Sequence, residues 1–160
     1  VAGRGPVSLS RIMVRSGSAG AAGSSVGTSS IVGAVAPDGG VMPVSGPRLF
    51  LPRVLGPLLG RPPADENDIK KVVEEELPRY FDYLDSQIGD SGYLVGNALS
   101  IADVSVSAIF GNIRLDGVNP DKNRQPKLYA FIKRMHGRET FKKINDPVKE
   151  FVGKLWNEMD

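Results

Sequence analysis

The feature that most limits the fold is an aspartate inside an apolar stretch, GNALSIADVSVSAIF, at residues 96–110. Ser100 is a residue type favoured at helix N-caps, and Asp103 lies three residues later, where its carboxylate reaches back to the Ser100 amide. The acid also lies at the positive end of the helix dipole. Leu99 and Val104 flank the pair at the spacing of a hydrophobic staple. The four residues predict a helix start, with a structural and not a catalytic role for Asp103.

The residues after this cap are apolar or small on nearly every side of a helix. The apolar positions lie around the whole circumference and not along one stripe. They are Ile101, Val104, Ala108, Ile109, Ile113 and Leu115. The pattern predicts a helix over about 100–115 that is buried nearly all round.

A second amphipathic pattern covers residues 64–89. Asp65 suits the N-cap, apolar residues follow at helical spacing, and Gly89 is a natural stop. Because proline removes a backbone donor, we expect Pro78 to kink this helix or divide it in two. Residues 50–60 are apolar but interrupted by proline and glycine, which predicts the ragged end of an earlier helix.

The rest of the chain predicts further helical segments after a polar loop at 119–126. The core positions of the next helix are Leu128, Phe131, Ile132 and Met135. A short helix follows at 139–144, and Asp146 with Pro147 is typical of a new helix start. The side chains expected to dock this last helix on the core are Phe151, Val152, Leu155 and Trp156. We therefore expect an all-α bundle of five or six helices.

Residues 1–47 have a different composition, with ten glycines, nine serines, no aromatic residue and one acid, Asp38. Such a segment buries too little apolar surface to offset its chain entropy, so we predict a flexible or irregular segment with weak strands at most, at 31–35 and 41–44. A targeting sequence and a frameshifted reading are alternatives that stay open. The expected domains are 1–47 and 48–160.

Composition excludes several kinds of chemistry. The sequence has no cysteine and a single histidine, so thiolate zinc sites and a cysteine–histidine pair are ruled out, and we expect no metal and no cofactor. We expect His136 to be solvent-facing or a helix cap. The net charge of +2 is too small to indicate nucleic-acid binding, and no apolar run is long enough for a membrane span. The absence of cysteine suits a reducing compartment, and we expect a cytoplasmic protein.

Three segments together carry a family resemblance. YLVGNALSIADVSV (93–106) resembles the signature of the carboxy-terminal helical domain of glutathione S-transferases. EEELPRYFDYLDSQIGD (74–90) and LYAFIKRMHGRETFKKI (128–144) resemble the helices before and after it in that family. The resemblance covers about 49–156 and implies a detoxifying transferase that conjugates glutathione, as co-substrate, to electrophilic small molecules. It also implies a structural role for Ser100 and Asp103.

The resemblance further implies that glutathione is bound and activated by a thioredoxin-like domain preceding the helical one. Residues 1–47 do not match such a domain, so we expect this chain to be truncated relative to its parent family and inactive alone, with no catalytic residue. The residues expected to bind substrate are Phe50, Arg53, Val54 and Trp156, although a core or dimer-interface role is the favoured interpretation of Phe50 and Val54. The family usually dimerises through both domains, so a homodimer is one expectation. The alternative function is a non-catalytic protein–protein interaction module, as in translation complexes.

Overall fold

The structure is a computed structural model and describes residues 41–159. This part of the chain forms five helices and no strand, so the predicted all-α fold is confirmed. The first two helices are each built from contiguous segments. Helix α1 comprises Val41–Ser45, Gly46–Leu55 and Gly56–Leu58; α2 comprises Glu66–Lys71, Val72–Glu76 and Leu77–Gln87; α3 is Ile101–Leu115, α4 is Pro126–His136 and α5 is Glu139–Val152.

Helix α1 begins earlier than its composition suggests. Residues 41–44, interpreted above as a weak strand, are helical, and the expected domain boundary at 47 falls inside this helix. Pro52 has no N–H to donate, so the regular i→i−4 ladder cannot run through it. The helix continues instead with the wider π-helical turn over Gly46–Leu55, and the Gly56 N–H bonds to the carbonyl of Leu51. Residues 1–40 of the predicted irregular segment 1–47, including the weak strand at 31–35, lie outside the described residues.

Helix α2 starts at the predicted cap, where the Asp65 carboxylate accepts a hydrogen bond from the Asn67 N–H over 2.9 Å. Pro78 does not divide this helix. A π-helical turn at Val72–Glu76 precedes it, and the Leu77 N–H bonds to the carbonyl of Val72. Pro78 has no N–H to donate within the helix. The wider turn shifts the hydrogen-bonding register by one residue, and this lets the helix continue through the proline.

Helix α3 lies at the centre of the bundle and packs on α1, α4 and α5. Phe110 is fully buried, and its ring lies 5.1 Å from that of Phe81 on α2. The prediction that α3 is buried nearly all round is wrong on one side. A stripe of this helix remains exposed, consisting of Ile101, Val104, Ala108 and Asn112. The stripe is left open because α5, which lies beside it, does not cover it.

Helix α5 differs most from the prediction. It continues through Asp146 and Pro147 as one helix. Pro147 and Lys143, the residue four positions before it, are both exposed, so solvent can hydrogen-bond the carbonyl that the proline leaves free. Within α5 no residue is fully buried, and the predicted docking of Phe151 on the core is wrong, since its side chain is 78% exposed.

Side chains of α2 fix the start of α4. The carboxylate of Asp85 accepts a hydrogen bond from the Leu128 N–H over 2.8 Å, which satisfies one of the free amides in the first turn of α4. Asp82 pairs with Arg124 over 2.5 Å in the preceding loop. No helix within 41–159 has the length and hydrophobicity needed to cross a bilayer.

Candidate ligand-binding cavity

A cavity of about 470 Å³ lies between α3, α4, α5 and the segment that follows α5. Its volume falls in the range of about 300–1,000 Å³ typical of small-molecule sites. Most of its wall is apolar. The lining residues are Leu99, Val104, Ala108, Gly111, Asn112, Leu115, Met135, Arg138, Thr140, Phe141, Ile144, Asn145, Val148 and Trp156.

The cavity forms because two apolar surfaces face each other without packing together. One is the exposed stripe of α3, represented by Val104 and Ala108, and the other is the apolar face of α5, with Ile144 and Val148. Ile144 remains 65% exposed, so the two helices leave apolar surface open to a partner or ligand.

Arg114, near the end of α3, organises the segment after α5 on one side of the cavity. Its side chain is only 5% exposed, and its Nε donates to Oδ1 of Asn119 over 2.9 Å. A second nitrogen donates to the backbone carbonyl of Asn157 over 3.3 Å. The guanidinium lies 4.0 Å from the centre of the Trp156 ring, a cation–π geometry. Arg114 thus fixes the backbone of the segment after α5, and this places Trp156 in the cavity wall.

Trp156 has a buried indole N–H that makes no hydrogen bond of normal geometry. Glu158 lies close enough to interact with it, and the pKa of Glu158 is held below its usual range chiefly by Lys149, with a smaller contribution from the indole. Asn145 on α5 also has a buried amide nitrogen without a hydrogen-bond partner. These two donors lie in the wall of the cavity, below the surface that a ligand would touch.

His136, the last residue of α4, is buried, and the prediction that it faces solvent is wrong. Its Nδ1 lies 2.9 Å from a guanidinium nitrogen of Arg114, which is always a donor, so Nδ1 accepts and carries no proton. Its Nε2–H therefore donates to the carbonyl of Ser107 over 2.8 Å. Burial lowers the pKa of His136 to about 4, and the ring is neutral at pH 7. Both nitrogens are engaged, so the residue is not placed to act as a base.

Asp116 follows α3 and is 2% exposed, yet neither of its carboxylate oxygens has a hydrogen-bond partner. Burial raises its pKa to about 7, partly offset by the positive charge of Arg53. Arg53 reaches only the backbone, donating to the Asp116 carbonyl over 3.2 Å. Sequence patterns gave no sign of this buried acid, because its burial depends on how α1 and the end of α3 meet.

The start of α3 holds the capping box, with Asp103 fully buried. The Asp103 carboxylate accepts hydrogen bonds from the Ser100 N–H over 2.7 Å and from the Ser100 hydroxyl over 2.6 Å. It also accepts one from the Leu94 N–H over 2.9 Å, a contact across nine residues that the sequence reading missed. Leu99 and Val104, expected to form a staple, are both exposed and line the cavity.

The residues expected to bind substrate are not brought together. Trp156 lines the cavity, whereas Phe50, Arg53 and Val54 belong to α1 and are absent from its wall. Val54 is buried and Phe50 is partly buried. The sequence reading missed Arg138, which lines the cavity at its exposed edge.

Comparison with protein families gives a match for this helical part of the chain. The family model described as glutathione S-transferase, C-terminal domain, matches residues 58–144, more than half of the sequence. The chain belongs to this family. No curated protein and no solved structure matches it.

This glutathione S-transferase C-terminal domain is thus assigned on the stretch that includes α2, α3 and α4, and the resemblance predicted from residues 93–106 is confirmed. The match ends at Ile144, inside α5, so the rest of α5 and the segment held by Arg114 are outside the matched residues. Among the described residues no cluster of histidines and acids is arranged to hold a metal ion.

Proposed function

We propose that this protein is glutathione S-transferase-like and contributes the helical half of a site that joins the glutathione thiolate to an electrophilic small molecule. The observation that carries the proposal is the family match over residues 58–144. A cytoplasmic location belongs to the same proposal.

The proposal assigns thiol activation to a domain other than the described helices. Conjugation requires a group that lowers the pKa of the glutathione thiol. His136 is unsuited to this, because Arg114 and Ser107 already occupy its two ring nitrogens. Asp116 is buried and carries no exposed donor. The helical part therefore contributes apolar surface, and the chain alone is expected not to turn over substrate.

The test is isothermal titration of glutathione into the purified full-length chain, alongside a conjugation assay with a generic aryl halide. We expect binding of the aryl halide, seen as a change in the fluorescence of Trp156, the single tryptophan of the chain, without saturable glutathione binding or turnover. Turnover by the chain alone would contradict the assignment of thiol activation to another domain. Absence of aryl halide binding would contradict the transferase proposal itself.

A non-catalytic interaction module is the second candidate, and the surface of α5 favours it. Phe151 and Ile144 are among the most exposed apolar side chains within 41–159. Exposed apolar surface of this kind is typical of protein contact sites. Sedimentation velocity of the chain and of Phe151→Ser tests this: concentration-dependent association that the substitution abolishes would support a module.

A further inference from the structure

We propose that one exposed face of α4 binds the phosphate backbone of a nucleic acid without reading its base sequence. This basic face consists of Lys127, Ala130, Lys133 and Arg134, together with Arg138 just past the end of the helix. The proposal does not depend on transferase activity, and it concerns the outer surface of the bundle.

Charge is distributed unevenly along the chain. Residues 122–138 contain six lysines and arginines and no aspartate or glutamate, whereas residues 65–90 contain nine acids and three basic residues. The net charge of +2 by itself indicates no nucleic-acid binding, but it results from cancellation between such segments. Association with a polyanion depends on the local potential of the surface that it meets and not on the total charge.

The cations of α4 lie on the side of the helix that faces away from the core. At 3.6 residues per turn, Lys127, Lys133 and Arg134 fall within about one third of the circumference, with Ala130 among them. All four residues are exposed, and so is Arg138, one turn after Arg134. At 1.5 Å per residue the basic face is about 16 Å long, whereas one strand of a duplex carries a phosphate about every 3.4 Å, so the face spans several phosphates.

The acids next to the basic face are already engaged by other groups. Asp82 on α2 forms an ion pair with Arg124 over 2.5 Å, and Glu139 on α5 forms one with Lys143 over 3.1 Å. Asp85 on α2 accepts a backbone N–H from the first turn of α4. Among residues 41–159 no carboxylate forms an ion pair with a cation of the basic face.

The cations of the basic face therefore keep their positive charge available. Lys127 and Arg134 donate to backbone carbonyls in the loop after α2, which holds the two side chains without neutralising them. Lys133 and Arg138 form no ion pair within the described part of the chain. Lysine and arginine bind phosphate oxygens through charge-assisted hydrogen bonds, so four such cations on one face suit a row of phosphates.

The lack of apolar side chains on this face favours a nucleic acid over a protein or a membrane. None of the exposed large hydrophobic side chains in the described residues falls within 122–138. Protein interfaces have an apolar or aromatic centre, and helices that bind membrane surfaces insert apolar side chains between the lipids. Nucleic-acid interfaces are more polar and much more positively charged, as the basic face is.

The experiment measures fluorescence anisotropy of labelled 20-nucleotide probes titrated with the full chain. The probes are a single-stranded RNA, the DNA of the same sequence, a scrambled DNA and a 20-base-pair duplex, each in 50 to 200 mM KCl. We expect saturable binding that is the same for the scrambled sequence. With about four phosphate contacts, the slope of log K against log salt should be about −3 for the single strands. Absence of saturable binding at 50 mM KCl, or a slope near zero, would overturn the proposal.

Two other polyanions test the choice of partner under the same conditions. They are labelled poly-L-glutamate of 20 residues and vesicles that contain phosphatidylserine. We expect both to bind more weakly than the oligonucleotides. Tighter binding of polyglutamate would assign the basic face to an acidic protein, tighter binding of the vesicles would assign it to an anionic membrane, and either result would refute the proposal.

Two pairs of variants locate the site. Ala130→Glu adds a negative charge at the middle of the basic face, whereas Ala130→Gln adds a side chain of the same size without charge. The double variant Lys133→Gln with Arg138→Gln removes two cations, and Lys70→Gln with Arg79→Gln removes two exposed cations of α2 as its control.

We expect Ala130→Glu and the Lys133–Arg138 double variant each to weaken oligonucleotide binding about ten-fold at 100 mM KCl. The double variant should also reduce the steepness of the salt slope by about 1.4 for single strands, or about 0.7 for each cation lost. The Ala130→Gln and Lys70–Arg79 variants should bind like the natural chain.

Circular dichroism and thermal melting establish that the variants are folded. All the substituted positions are exposed, and glutamate and glutamine are both good helix formers, so we expect no loss of structure. Three further arginines, Arg4, Arg11 and Arg15, lie outside the described residues. If Ala130→Glu binds the oligonucleotides as tightly as Ala130→Gln, the binding site lies elsewhere in the chain and the role of the basic face is refuted.

Discussion

The guanidinium of Arg114 donates a hydrogen bond to Nδ1 of His136 over 2.9 Å, inside the bundle. A permanent donor at this position fixes the histidine in its Nε2–H form, and it opposes any second proton on the ring. The same guanidinium stacks on Trp156. One buried cation thus determines the state of the only histidine and the position of the only tryptophan.

The first prediction concerns the pH dependence that His136 gives to stability. Its pKa is about 4 when folded and near 6.5 when unfolded, so between these values the unfolded chain binds more protons. The contribution of His136 to the free energy of unfolding therefore rises by about 3 kcal/mol as the pH increases from 4 to 6.5. In His136→Gln this rising contribution should be lost, as measured by urea unfolding at half-unit pH steps. An unchanged pH profile in the variant would contradict the assignment.

Asp116 gives the opposite dependence. Burial raises its folded pKa to about 7, above its ordinary value of 3.8, so the folded chain binds more protons between these values. Its contribution to the free energy of unfolding falls as pH rises from 4 to 7, by about 4 kcal/mol. Asp116→Asn should remove this loss and leave a profile that rises with pH, since His136 still titrates. The variant should be more stable than the natural chain above pH 7.

These two buried groups oppose each other between about pH 4 and 6.5, so the natural chain should show a shallow profile there. The double variant tests this compensation. His136→Gln with Asp116→Asn should again be nearly flat, while each single variant slopes in its own direction. Two single variants that slope the same way would show that one of the two pKa directions is wrong.

The next prediction concerns Asp103. Its carboxylate accepts from two backbone amides and one hydroxyl, those of Ser100 and Leu94, while fully buried. Asp103→Ala leaves these donors without a partner, so we expect the free energy of unfolding to fall by about 2 to 4 kcal/mol. Ser100→Ala removes the hydroxyl that donates to Asp103 and accepts from the backbone N–H of Asp103, but leaves the carboxylate bonded to both amides, and should cost about 1 kcal/mol. Equal losses in the two variants, measured by urea unfolding, would contradict the bond to Leu94.

The residues that sequence could predict are those with local causes. Asp65 and the Ser100–Asp103 pair lie where their patterns place them, because a cap is determined by neighbours within one helical turn. The bond from Leu94 to Asp103 was missed because it depends on the path of a whole loop. The cavity was missed for the same reason, since it forms where α5 fails to cover α3.

Pro147 shows the limit of local patterns from the other direction. Asp146 followed by proline is typical of a helix start, yet α5 continues through both residues. The Asp-Pro pattern indicates a position at which a helix can begin favourably. It does not indicate whether a preceding helix must end there. The exposed position of Pro147 allows water to satisfy the carbonyl it leaves free, and that exposure is set by tertiary structure.

The last prediction concerns Gly117, which follows α3 and lies against the segment that carries Trp156. Its backbone has φ +77°, a conformation that other residues rarely adopt, and a Cβ built there would lie 2.5 Å from the carbonyl oxygen of Leu155. Gly117→Ala should therefore strain the turn and displace the segment after α5 from Arg114. We expect a loss of about 1 to 3 kcal/mol in the free energy of unfolding, with a shift of Trp156 emission toward that of a solvated indole.

Gly60→Ala is the matched control, because Gly60 has φ +64° with no atom within 4 Å of its built Cβ, so it introduces similar backbone strain without the collision. Since Gly60 is not among the residues that line the cavity, its variant should lose some stability but keep the emission of Trp156 unchanged. Identical emission spectra for the two variants would mean that Gly117 does not position Trp156.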